Sequence, residues 1–135
     1  KVDTAGVLQL SQLYGNGLRV EEMKQALRFQ NDFNGKVQRE NPSKFTCGFV
    51  VHPGYVRGAC WEIERCVNEL DMRLLCLPTH YMDTIGTWRC IFDEENDPIF
   101  ELANKYNLAV ELHPYDGEKF IKLENTSWRF HLIWM

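Results

Sequence analysis

Residues 45–80 read FTCGFVVHPGYVRGACWEIERCVNELDMRLLCLPTH. Phe45–Val51 is an almost unbroken apolar run that stops at His52-Pro53, and Arg73–Leu77 is a second such run. Between them, over Val56–Leu70, the residues Ala59, Ile63, Cys66, Val67 and Leu70 recur at helical spacing and make one apolar stripe. Strands this apolar do not suit an antiparallel sheet with one face in water. The connection is long enough for a helical crossover, so the spacing predicts parallel strands joined right-handedly.

The same alternation extends in both directions. Upstream lie a strand-like run over Val7–Leu13 and a helix over Val20–Asn41, with Val20, Met23, Leu27, Phe33 and Val37 at helical spacing. Downstream, Asp97 is read as the cap of a helix with Pro98 in its first turn and with Phe100, Leu102, Ala103 and Tyr106 as apolar surface. A last strand is expected over Ala109–His113. The order is β-α-β-α-β-α-β, which fits either an open doubly wound sheet or a (β/α)8 barrel. A whole barrel needs eight strands and about 250 residues. With 135 residues this chain would be an incomplete segment of one, residues 1–135 forming part of a single barrel domain. Lys1 at one edge and the uncapped aromatic run Trp128–Met135 at the other are both expected to be cut edges.

Totals narrow the function classes. A net charge of −4 gives no general attraction for nucleic acid or an anionic membrane surface. No apolar run approaches the roughly 20 residues of a membrane-spanning helix. A charged region followed by an apolar one, as in a secretory leader, is not seen, and a cytoplasmic protein is expected. The five cysteines (47, 60, 66, 76 and 90) include no CxxC pair and read as reduced thiols, with Cys47 and Cys76 buried inside strands. Asp93-Glu94-Glu95 reads as a solvated loop or helix start.

Three of the four histidines follow predicted strands: His52 after Phe49-Val50-Val51, His80 after Leu77-Pro78-Thr79, and His113 after Val110-Glu111-Leu112. The carboxyl rim of a parallel sheet is where α/β folds bind ligands. The plainer reading is strand-ending turn chemistry, because His-Pro follows a strand at both His52 and His113. Neutral imidazole is the commonest protein ligand to metal. Strand alternation places Glu111 on the same side as His113, one layer deeper, as a buried polar partner before a ligand. HxH, HExxH and CxxC spacings, phosphate-cradling glycine loops and GxSxG are all missing from this sequence. Trp128, Phe130 and Trp134 with Arg129 could line a pocket for a planar anion, or equally be helix core.

Three phrases in order, NDFNGKVQRENPSKFTCGFVVHP (31–53), ACWEIERCVNELDMRLLCLPTHY (59–81) and DEENDPIFELANKYNLAVELHPYD (93–116), resemble the amidohydrolase-2 family. These are metal-dependent (β/α)8 barrels related to amino-carboxymuconate-semialdehyde decarboxylase. The likeness rests on Asn31-Asp32, Pro42-x-x-Phe45, Glu62-x-x-Arg65-Cys66-Val67, Pro98-x-Phe100 and the His113–Asp116 phrase HPYD, with Asp3-x-Ala5-Gly6-Val7 ahead of them. Leu74-Leu75, where the family has a glycine-containing strand, and Glu111, where it tends to be apolar, depart from the pattern. The resemblance implies α/β architecture covering about strands 2–5 of the barrel. It implies a carboxy-lyase or hydrolase acting on a small carboxylated, aromatic-type substrate, with a divalent metal, zinc first and manganese second. His113 is then a metal ligand and His80 a substrate-pocket residue, with neither nucleic acid nor membrane as partner and a homo-oligomer allowed. The alternatives are a non-catalytic barrel scaffold and an autonomous doubly wound ligand-binding domain.

Overall fold

Apolar runs that alternate with amphipathic helices leave few ways to close a core, and the strand pairing shows which one is used. The computed structural model describes residues 5–7 and 20–113. Its strands and helices are β1 (Ala5–Val7), α1 (Val20–Glu40), β2 (Phe45–Val50), α2 (Val56–Glu69), β3 (Leu74–Pro78), β4 (His80–Met82), β5 (Trp88–Cys90), α3 (Asp97–Lys105) and β6 (Ala109–His113). The main sheet is parallel throughout, in the order β1-β2-β3-β6. Strand order therefore follows chain order. The helices α2 and α3 pack on one face, while α1 runs along the edge of β2, with Met23 and Leu27 against Val50 and Cys76 of the other face. A doubly wound sheet must reverse direction. This one does not, so the doubly wound alternative is set aside.

Alternation along β2, β3 and β6 divides the sheet into two faces. Cys47, Phe49, Val51, Leu75 and Leu77 pack with Ala59, Ile63, Cys66 and Val67 of α2 and with Ile99 and Ala103 of α3, and Leu112 joins them from β6. That is the layer between strands and helices. The opposite face carries Cys76 and Glu111, paired in register and joined by a hydrogen bond from the Cys76 thiol to Glu111 Oε2 at 3.2 Å. Gly48 lies beneath this pair: a Cβ there would stand 2.4 Å from Cys76 Sγ. Cys47 and Cys76 are fully buried.

Both long connections end in the same way. Asp71 and Asn107 take positive φ (52° and 50°) just past α2 and α3, a conformation that short polar side chains tolerate better than most. The amides of Met72 and Leu108 then bond back to Cys66 O and Ala103 O.

Four expectations are corrected. First, β1 begins at Ala5, two residues before the expected start at Val7, with Ala5–Val7 paired with Phe45–Cys47; the rest of Val7–Leu13 lies outside the described residues. Second, the buried face of α1 is Met23, Leu27, Asn31, Asn34 and Gly35, while Phe33 points to solvent at 54% exposure. Third, Asp97 is the first helical residue of α3, not its cap; Asn96 precedes it and makes no side-chain cap bond, and Ile99 is the buried residue that the reading passed over. Fourth, a hairpin, β4 with β5 antiparallel, is inserted between β3 and α3.

The second and fourth have clear physical reasons. On α1, Asn31 donates to Val50 O (2.9 Å) and accepts from Val50 N (2.9 Å), as a neighbouring strand would. Asn34 donates to Gly48 O at 2.8 Å and Gln38 accepts from Cys47 N at 2.9 Å. Three side-chain amides thus complete the ladder of β2 beyond its pairing with β1. The hairpin is closed by Asp83, whose carboxylate accepts from the amides of Ile85 (3.0 Å) and Thr87 (2.8 Å) and holds Arg89 at 3.0 Å. The bonds from these two amides, with that from Arg89, keep the Asp83 carboxyl below its ordinary range. Gly86 takes φ +83° in the turn.

Candidate active site at the carboxyl rim

Parallel strands in register bring their carboxyl ends to one edge, and the structure puts all three strand-following histidines near it. His113 closes β6 opposite Pro78 of β3, and its carbonyl accepts from Thr79 N at 3.0 Å. Leu112 belongs to the helix-facing layer, so alternation sends Glu111 and His113 to the other face, where Cys76 lies. His113 is half-buried there, one turn of the pleat above Glu111. The Cys76 thiol is pushed well above its usual range, first by burial and then by its bond to Glu111. It is a proton donor to that carboxylate, not a nucleophile.

His80 opens β4, paired with Cys90, and is almost fully buried. The hairpin that carries it is tied to the end of β3 by Ile91 N donating to Thr79 O at 3.0 Å. Tyr81, next along, is wholly buried. Its hydroxyl accepts from Asn96 Nδ2 (3.0 Å) and donates to Glu95 (3.2 Å), and burial pushes its pKa up to about 12. The hairpin thus roofs the end of β3 with a neutral phenol.

His52 takes a different role from the other two. It sits at the N-terminus of the short 3-10 turn Pro53–Tyr55, where its Nδ1 accepts from Gly54 N at 3.0 Å. Its ring meets Tyr81 edge-on, with centroids 5.9 Å apart. Burial lowers its pKa to about 4, so it is a neutral imidazole at ordinary pH with Nε2 carrying the proton. The strand-ending turn chemistry considered for His-Pro is what this residue performs.

Sequence reasoning missed the polar cluster on the helix side of the same rim. Glu62 of α2 accepts from Asn31 Nδ2 (2.8 Å) and from two nitrogens of Arg65 (2.6 and 2.9 Å), while Arg65 Nη1 reaches Asp32 at 2.6 Å. The two carboxylates hold the Arg65 guanidinium above its already high range. The Asn31-Asp32 and Glu62-x-x-Arg65 phrases were visible as phrases, and their mutual contact was not. The aromatic group Trp128, Phe130 and Trp134 with Arg129 lies outside the described residues.

Metal ligation needs more than one of these groups. Among the described residues no three of His, Cys, Asp and Glu come together in a way that could hold an ion. His113 offers one imidazole with demanding placement on a strand end. A catalytic zinc centre takes three protein ligands. The described residues alone do not make a metal centre.

Solved structures share this arrangement. A dihydroxybenzoic acid decarboxylase from Polaromonas sp. JS666, with bound manganese and 2-nitroresorcinol, superposes with a TM-score of 0.77 at 18% identity, covering 88% of this chain and 38% of that one. A 5-carboxyvanillate decarboxylase from Novosphingobium aromaticivorans, also with manganese, gives 0.73 at 21% identity over 84% of this chain and 31% of its own. The fold is a segment of a (β/α)8 barrel. The face that bears Cys76, Glu111 and His113 is then the barrel interior, and α2 and α3 belong to its outer ring. An amidohydrolase II matches the barrel segment at a TM-score of 0.72 and 15% identity, over 89% of this chain. These neighbours are decarboxylases and amidohydrolases of the kind whose phrases the sequence resembles. At identities this low the likeness establishes the architecture, and the chain spans about a third of the length of these neighbours. No protein-family model and no curated protein matches the chain. No helix among the described residues is long and apolar enough to cross a membrane.

Proposed function

We propose that this chain supplies strands 2–5 of a metal-dependent amidohydrolase-2 barrel that decarboxylates a small aromatic carboxylate. The observation that carries the reading is His113 at the carboxyl end of β6, on the interior face of a barrel wall whose solved counterparts include manganese-bound decarboxylases. In this reading His113 contributes one ligand to a divalent ion, and the other ligands come from outside the described residues. The manganese bound in the neighbouring structures favours manganese over zinc. Glu111, one layer deeper, accepts the Cys76 thiol and fixes the floor beneath the imidazole. His80, buried at the foot of the hairpin, is the proposed substrate-pocket residue. His52 is excluded from acid–base work near neutrality because it is held uncharged by burial and its Nδ1 is occupied.

The test is carbon dioxide release by the full-length protein from a panel of hydroxylated benzoates, with metal content measured alongside. One divalent ion per chain and release from at least one substrate are expected. Stoichiometric metal with hydrolysis of an amide or ester, and no decarboxylation, would replace the lyase assignment with a hydrolase one. A protein with neither metal nor turnover would leave the barrel as a scaffold.

A further inference from the structure

A cavity of about 240 Å³ lies between α1 and α2 at the carboxyl end of β2. Its floor is apolar, formed by Met23 and Leu27 of α1 with Val51 and Ala59. Tyr55 and the half-exposed Trp61 stand at its walls. Val51 and Ala59 belong to the layer between sheet and helices, whereas Met23 and Leu27 pack with Val50 and Cys76, so the cavity lies beside β2 where the two faces meet.

The charges at its mouth do not cancel. Of the ionised lining groups, Glu62 is matched by its two bonds to Arg65, and Asp32 beside the lining takes Arg65 Nη1. Lys24 is paired with Glu21 at 2.7 Å and lies over the Tyr55 ring. Arg28 also lines the mouth, and it makes no ion pair or hydrogen bond among the described residues. Among the described residues a guanidinium is thus left over at the edge of an apolar pocket. A dry cavity of about 150 Å³ already accommodates benzene.

We propose that this cavity binds a small apolar monocarboxylate, its ring or branched chain on the Met23–Leu27–Ala59 floor and its carboxylate on Arg28. A guanidinium fork suits a planar carboxylate in two-point contact. A single ring of this size binds with a Kd of the order of 1 mM. The inference uses neither His113 nor a metal ion, only the lining of this cavity.

The probe is 4-fluorobenzoate, titrated into the full-length protein and followed by fluorine NMR line width. The His113→Ala protein is the background, so that binding at the barrel mouth is weakened. Binding that survives there, weakens about threefold to tenfold in Arg28→Gln, and weakens again when 4-fluorobenzamide replaces the acid supports the site. Arg28 and Trp61 are exposed, so Arg28→Gln and Trp61→Ala test it without removing a core side chain. Loss of a contact between the fluorine and the Met23 methyl in Trp61→Ala is a second reading of the same pose. Binding that vanishes with His113→Ala, that ignores Arg28→Gln, or that is not seen at all because another part of the chain fills the cavity, overturns the proposal.

Discussion

His52 shows how much a single side chain can be altered by where it is placed. Its pKa falls from 6.5 to about 4 because burial penalises the imidazolium. The unfolded chain takes up a proton below about pH 6.5, and the folded chain does not until about pH 4. Stability is therefore full above the unfolded value and falls as pH drops through that window, by roughly 3 kcal/mol in all. Urea unfolding of the wild type at pH 7.5 and 4.5 is expected to show that loss. His52→Asn, which keeps an acceptor for Gly54 N, is expected to show much less of it. A second residue-scale outcome concerns Gly48. A Cβ there would meet Cys76 Sγ at 2.4 Å, so Gly48→Ala is expected to cost about 1–3 kcal/mol. Cys76→Ala should recover most of it, and a double-mutant cycle measures the coupling. The sequence announced His52 as a rim residue by its His-Pro step. That it is uncharged depends on Tyr81 and the core around it, which lie far away in the chain.

Among the elements, α1 explains both what could be read and what could not. Its length and its Met23 and Leu27 positions follow from helical spacing. Its remaining buried face is Asn31, Asn34 and Gly35, which no apolar stripe would reveal. Those amides are buried because they do a strand's work on β2, and a side chain that mimics a backbone leaves no periodic signal. The hairpin escaped notice for another reason: β4 and β5 are three residues each, joined by a turn that Asp83 organises, with neither Asn-Gly nor Asp-Gly to mark it. Asn31→Ala orphans both the amide and the carbonyl of Val50 and is expected to lower stability by about 3 kcal/mol. Asn34→Ala removes one backbone bond and should cost less. The order of the two urea midpoints checks the assignment. Equal midpoints would show that the double bond to Val50 adds nothing beyond a single one.

For the molecule as a whole, chain-order strand pairing was legible because consecutive apolar runs and same-handed crossovers leave few alternatives. The choice of barrel over doubly wound sheet came from strand order. The candidate site was only partly legible. A barrel mouth collects its ligands from many strand ends, and the HPYD phrase discloses one of them. Full-length protein is expected to hold one divalent ion per chain, and His113→Ala to lower both metal retention and turnover, the latter by roughly 100-fold or more. Metal analysis of dialysed wild type and variant checks the first part. The 135-residue chain alone is expected to retain little metal and to self-associate, because a barrel wall without its neighbours presents open strand edges and an uncovered interior face. A monodisperse monomer with a sharp melt by light scattering and calorimetry would count against the partial-barrel reading.

The amides that finish β2 also give the protein a clock. Asn34 is followed by Gly35, the dipeptide in which a side-chain amide is most readily attacked by the next backbone nitrogen, and both residues are buried within α1. Helical geometry holds that nitrogen away from the side chain, so the folded chain ages slowly at this bond. Each unfolding frees the pair to close a succinimide and open to aspartate or isoaspartate. An acid at position 34 can no longer donate to Gly48 O and instead turns a carboxylate oxygen toward it. Repeated heating would then convert a reversible transition into an irreversible one, a molecule at a time.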